Sequence, residues 1–139
     1  MAGGAPSIFA RIVAGEIPCQ KVFENEHVLA FLDINPLSEG HTLVLPKRTV
    51  ARLADLTADE AAELGRQVIA LSARVLAVTG AEGLNILLND GRVAGQEVPH
   101  VHFHIIPRRS DDGLGYRWRP QRRSAEALAA LAARITQAQ

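Results

Sequence analysis

The chain has 139 residues, 47% of them hydrophobic, which is enough for one buried core and leaves no length for two ordinary domains. Its 15 Lys plus Arg match its 15 Asp plus Glu, so no global field draws it to nucleic acid or an anionic membrane, and any anion site must be local. Cys19 is the single cysteine, which excludes an intrachain disulfide and a cysteine-rich metal site; with no signal-like N-terminus and no run of about 18 apolar residues, a cytoplasmic protein off the membrane is expected.

In chain order, Ser7 is placed to cap a short helix whose Ile8/Ile12 and Phe9/Val13 pairs are four apart and which Gly15 ends. Lys21 to Asn25 and Val28 to Asp33, rich in Val, Phe and Leu and separated by Glu26-His27, are expected to form two strands of a hairpin. Asn35-Pro36 and Ser38-Glu39-Gly40 mark a loop, and His41 to Leu45 reads as a third strand stopped by Pro46, so Asp33 and His41 flank one turn. The strongest helix is expected from Thr57 to about Thr79: Thr57-Ala58-Asp59-Glu60 fits a capping box, and Leu64, Val68, Leu71, Val75 and Val78 repeat at spacings of four and three. Gly80 is its stop, and Gly65 within it suggests close approach of another backbone. Leu84 to Asn89 reads as a fourth strand and His100 to Ile106 as a fifth, joined by a glycine-bearing loop from Asp90 to Val98. Ser124 is placed to cap a last Ala/Leu-rich helix reaching roughly Ile135.

The run His100-Val101-His102-Phe103-His104 carries the chemistry because of its period. Side chains in a strand alternate faces, so three imidazoles project to one side while Val101, Phe103 and Ile105 project to the other. Three adjacent imidazoles repel one another when protonated, so some stay neutral near pH 7, and a neutral imidazole serves as nucleophile, base or ligand. A three-histidine metal site is disfavoured because His100 and His104 would stand roughly 13 Å apart in an extended strand, against a zinc–nitrogen bond of about 2.0 Å. A chelate of His100 with His102 and a distant carboxylate stays open as the alternative chemistry.

The run His100-Val101-His102-Phe103-His104-Ile105-Ile106 resembles the His-x-His-x-His-x-x signature of the histidine-triad (HIT) superfamily. Further blocks are similar to that family in the same order: Ser7 to Pro18, Ala30 to Ile34, Gly40 to Lys47, Asn89-Asp90-Gly91 and Gly95 to Val98. The likeness covers about residues 7–118, with a helical tail at about 124–136, and it implies an α+β fold over residues 1–139. That fold has a five-stranded antiparallel sheet, usually paired into a homodimer whose sheets join.

By this resemblance His102 is the nucleophile, displacing a leaving group from the α-phosphorus of AMP-X, a phosphoramidate or a polyphosphate, to give a nucleotidyl-histidine that water hydrolyses. The backbone carbonyl of His100 holds the His102 ring, His41 extends that relay, and His104 faces the phosphate oxygens. Backbone N–H groups of Gly95, Gln96, Glu97 and Val98 would point at the transition state. Asp33 takes the ribose hydroxyls, and Phe9, Ile12, Phe31 and Ile34 make an apolar slot for a purine. Asn89 matches the purine phosphoramidase branch, and Trp118 would reach a neighbouring subunit's site.

Departures from the pattern are informative as well. Ser7, Ala10 and Thr49 stand where zinc-bearing relatives carry ligands, so no structural zinc is expected, and no cofactor is required; a divalent metal would enter only with polyphosphate substrates. Glu97 stands where the phosphoramidase branch often carries serine, which bears on the leaving group in a direction the sequence leaves open. Arg108, Arg109, Arg117, Arg119, Arg122 and Arg123 around Tyr116 and Trp118 read as a solvated charged face and not a nucleic-acid surface, because Asp111 and Asp112 interrupt them and the chain is neutral. The second class of function, a nucleotide-binding or interaction protein with little turnover, also remains open, as does adenine against guanine.

Overall fold

The computed structural model describes residues 5–115 and 118–138; Tyr116 and Arg117 of the basic stretch lie outside the described residues. Five strands, β1 (Lys21–Glu24), β2 (Val28–Leu32), β3 (Thr42–Pro46), β4 (Gly83–Leu88) and β5 (Phe103–Arg108), form one sheet in the order β1-β2-β3-β5-β4. Every adjacent pair is antiparallel, which makes the α+β sheet expected from the sequence. Three helices accompany it: α1 (Ile8–Val13), α2 (Ala58–Thr79) and α3 (Ala125–Gln137).

The helix ends follow the local chemistry. Thr57 accepts from the Glu60 N–H while the Glu60 carboxylate takes the Thr57 N–H, a reciprocal cap of the kind that contributes about 1 kcal/mol to a helix. Gly80 closes α2 in the left-handed region at φ 68°. Ser7 and Ser124 cap α1 and α3 as expected, accepting from the N–H groups of Ala10 and Ala127.

Alternation in the strands divides the sheet into two buried faces. Val28, Ala30, Val44 and Ile105 pack under Leu64, Val68 and Leu71 of α2. Leu29, Phe31, Leu43 and Leu45 face the other way and receive Phe9 from α1. Fully burying a side chain such as Leu45, Leu64 or Ile105 stabilises the fold by roughly 1.5–3 kcal/mol each. In the β3–β5 ladder Leu43 pairs with His104 and Val44 with Phe103, so His104 opens onto the α1 face while Phe103 turns to α2. This register puts the chemistry on the thinly covered side of the sheet.

Several expectations are corrected. β5 begins at Phe103, three residues after the predicted start, because the His100 N–H bonds to the Val98 carbonyl and the Val101 N–H to the Val50 carbonyl, outside the ladder. His100 and His102 therefore sit in the segment that leads into the strand. β3 runs Thr42–Pro46, one residue later than expected at each end; proline is tolerated at a strand terminus, where no ladder N–H is needed from it. Val78 is 85% exposed and drops out of the α2 stripe, in which Ser72 is buried instead. A Cβ built at Gly65 meets nothing within 4 Å, so no second backbone approaches there. In α3 no described residue is buried, which leaves Leu128, Leu131 and Ile135 exposed.

Candidate active site

The lead-in to β5 sets the state of His102. Its Nδ1 lies 2.7 Å from the His100 backbone carbonyl, an acceptor only, so Nδ1 carries the proton and donates it. The lone pair is thereby left on Nε2. Burial pushes the His102 pKa below its ordinary value, opposed by the His100 carbonyl bond and by the Asp33 charge, so the ring is neutral near pH 7. Phe9 stands edge-on to it at a centroid distance of 4.9 Å and 87°, which restricts rotation of the ring.

His41 and His104 form a second, directional pair. The Leu37 N–H donates to His41 Nδ1 at 3.0 Å, so the proton of the neutral ring is on Nε2. That Nε2–H points at His104 Nδ1, 2.9 Å away, and places the remaining proton of His104 on its own Nε2. Burial pushes the His41 pKa down against the pull of Asp33. His104 is pushed down to about 4, first by burial and then by its neighbours His102 and His41, with Asp33 opposing. His102 and His104 lie with ring centroids 4.9 Å apart, a bare nitrogen and an N–H donor side by side. The expected relay is corrected in one respect: His41 is bonded to His104, and the His102 ring ends its own chain at the His100 carbonyl.

A cavity of about 450 Å³ opens over these rings. It is lined by twelve of the residues singled out in the sequence: Phe9, Ile12, Phe31, Asp33, Ile34, His41, Asn89, Gly95, Glu97, Val98, His102 and His104. Asp33 presents Oδ2 3.7 Å from His41 Nε2, at the junction of the histidine pair and the apolar wall. Ile34 is 78% exposed and sits at the rim.

Three singled-out residues lie elsewhere. The His100 side chain is fully buried, with Nε2 donating to the Pro46 carbonyl at 2.7 Å and Nδ1 enclosed without a partner, so only its backbone touches the site chemistry. Gln96 is buried and braces the loop: its Oε1 accepts from the Gly91 N–H and its Nε2 donates to the Ala51 carbonyl. Trp118 is exposed and does not line this cavity. The loop amides are also unequal. Those of Gly95 and Gln96 are bonded to the Arg92 and Gly91 carbonyls, whereas among the described residues those of Glu97 and Val98 have no acceptor.

Residues that sequence reasoning missed here include Leu43, Leu37 and Cys19. Leu43 was legible as the inward neighbour of His41 in an alternating strand. Leu37 and Cys19 reach the cavity through loops, which carry no period.

A metal reading is weakened by these hydrogen bonds. A chelate from His100 would have to draw on a ring with no exposure. Asp33, His41 and His104 do offer ligand atoms within 4.8 Å of one another, yet an ion on His41 Nε2 would push that proton to Nδ1, where it would meet the Leu37 N–H.

A central antiparallel sheet thus carries a neutral imidazole, held by the His100 carbonyl, beneath a cavity of about 450 Å³. Residues 14–111 match the HIT domain family, and the chain belongs to it. It is 43% identical over 130 residues to the adenosine 5'-monophosphoramidase hnt1 of Schizosaccharomyces pombe, covering 93% of this chain and 95% of that one. It is 39% identical to the adenylylsulfatase HINT3 of Arabidopsis thaliana, over 77% of this chain and 54% of that one. Among solved structures, a HIT family member from Bacillus subtilis superposes with a TM-score of 0.91 at 39% identity, covering 96% of each chain.

Proposed function

We propose that the chain hydrolyses adenylyl compounds, AMP-X, at the α-phosphorus, with His102 as the nucleophile and phosphoramidates as the preferred substrates. The observation that carries the reading is the 2.7 Å bond from His102 Nδ1 to the His100 carbonyl, which leaves a bare Nε2 on a residue lining the cavity. The relatives named for monophosphoramidase and adenylylsulfatase activity support an adenylyl substrate.

In the first step His102 Nε2 bonds to phosphorus and the P–N bond breaks. The amine leaves with one proton taken up from solvent, and the His102 ring becomes a phosphorylated imidazolium. Its Nδ1–H still donates to the His100 carbonyl, whose partial negative charge offsets the new positive one. His104 Nε2–H, held outward by His41, donates to a phosphate oxygen, and the Glu97 and Val98 amides are the loop donors available to the others. In the second step water attacks phosphorus, AMP leaves, the proton is returned, and His102 is neutral again. Asp33 accepts from the ribose hydroxyls, and Phe9, Ile12 and Phe31 cover the purine. No cofactor takes part; a divalent metal enters only with a polyphosphate substrate. Trp118 belongs to the site only through a second copy of the chain.

The test is to mix the protein with adenosine 5'-phosphoramidate, quench in mild base and weigh the intact chain. A mass increase of one AMP is expected on the slowed variant His104→Ala and not on His102→Ala. Nucleotide binding with no turnover by the parent protein would overturn the hydrolase in favour of a binding protein.

A further inference from the structure

The charged side chains on the cavity wall are Asp33 and Glu97, and among the described residues no Lys or Arg lines it. This is an unusual wall for a site that receives a phosphate. An anion is ordinarily met by Arg or Lys, whose formal charge compensates that of the ligand. Here the phosphate meets neutral imidazoles and backbone amides, which solvate one anionic centre well and give no compensation for additional negative charges.

Asp33 lies against His41, with Oδ2 3.7 Å from Nε2, and is committed to that end of the cavity. Glu97 stands on the loop between β4 and β5, lines the cavity with Gly95 and Val98, and is exposed. The leaving group extends from the phosphorus that His102 attacks, and Glu97 lines the same cavity as His102, which puts that group in the field of this carboxylate. A unit charge about 7 Å from a carboxylate, at an effective dielectric between those of protein and water, changes a binding or rate constant on the order of tenfold.

We infer that this cavity selects leaving groups by charge, favouring amines that carry a further positive charge and rejecting polyphosphate and sulfate, with Glu97 as the specificity-determining residue. The inference rests on the proposed AMP-amide hydrolysis and narrows it: of the two activities named for the relatives above, it excludes the one that releases sulfate. The loop amides of Glu97 and Val98 continue to serve the phosphate, while the Glu97 side chain reads what lies beyond it.

The experiment uses three adenosine 5'-phosphoramidates of equal length, made from a diamine, an alkylamine and an amino acid linked through its amine, so that the leaving groups end in a cation, a methyl group and an anion. The readout is the ratio of kcat/KM for the cationic over the anionic amide, which is insensitive to a general loss of activity. A ratio of about 100 is expected for the parent protein, falling to about one in Glu97→Gln and inverting to about 0.01 in Glu97→Lys. High salt should compress the parent's ratio without any substitution. A ratio near one in the parent, or one unchanged in a folded Glu97→Lys protein, overturns the charge selection. Turnover is tested separately: if the neutral amide is not hydrolysed at all, the proposed reaction fails, and the order of dissociation constants of the three amides on His102→Ala still decides whether the cavity discriminates by charge.

Discussion

His41 Nε2 stands 2.9 Å from His104 Nδ1, and the direction of that hydrogen bond is imposed by a third group, the Leu37 N–H 3.0 Å from the other His41 nitrogen. One backbone amide thus decides that the His104 nitrogen left free, Nε2, carries the proton. Replacing His41 by Ala removes the donor and frees the His104 ring to take the other tautomer. We expect kcat to fall about 10- to 100-fold, the range for losing one oriented donor or its support, with a smaller change in KM. His41→Gln, which keeps an N–H donor, should recover part of the rate. Steady-state kinetics on the two variants check this, and equal losses in both would show that the bond direction is unimportant.

The depressed pKa values of the site histidines give a signed pH dependence. His102 and His104 bind fewer protons folded than unfolded, so the unfolded chain takes up more protons as pH falls below about 6.5, and stability drops with it. Stability should be full above about pH 6.5 and decline steadily toward pH 4, where the His104 shift is exhausted. The thermal midpoint, followed from pH 8 to pH 4, should therefore fall on the acid side, and less steeply in His104→Ala. The nucleophile follows the same sign: kcat/KM should stay flat through pH 6.5 and decline only below it, since acid must first protonate a buried His102.

Gln96 joins the loop before β5 to the segment after β3 through the Gly91 N–H and the Ala51 carbonyl. Gln96→Leu keeps the side-chain volume and strips both partners, so the buried groups of Gly91 and Ala51 are left unpaired at a cost of about 1–3 kcal/mol. We expect a lower unfolding free energy in urea together with a reduced kcat/KM, because Glu97 and Val98 lose their anchoring. Unchanged stability would mean that the loop holds its shape through its other bonds, among them that of Arg52 to Asp90 at 3.1 Å.

β4 is an edge of the sheet with one flank unpaired among the described residues, and Ile86 on it is 45% exposed. An open apolar edge of this kind favours pairing with a second copy. We propose that the chain forms a homodimer through it. Sedimentation equilibrium should give twice the chain mass for the parent protein and a smaller mass for Ile86→Lys; a monomeric parent would remove the proposed role of Trp118 as well.

Much of this arrangement was legible in the linear sequence, for local reasons. A capping box and a stop glycine mark the ends of α2, and the segment His41 to Leu45 with Pro46 after it marks the third strand. The spacing of His102 and His104 puts two imidazoles on one cavity, while the His100 ring is sealed away from it, and the family blocks bring Phe9, Asp33 and Asn89 to the same cavity. The caps and the strand and histidine spacings come from residues a few positions apart, whose side-chain directions are set by the backbone, whereas the cavity lining was read from resemblance.

The tautomer of His104 and the burial of the His100 ring were not legible, because they depend on partners distant in the chain. His104 meets His41 across 63 residues, and His100 meets the Pro46 carbonyl across 54, so only folding determines which imidazole faces a donor and which an acceptor. The same holds for Gln96, whose polar end finds Ala51 instead of the substrate cavity, and for His100, whose ring is sealed in the core. The sequence by itself determined the set of imidazoles and the strand that carries the last of them. Tertiary structure decided which nitrogen is bare, because a neutral imidazole has one proton and two places for it, and the groups that choose between them are brought there by the sheet.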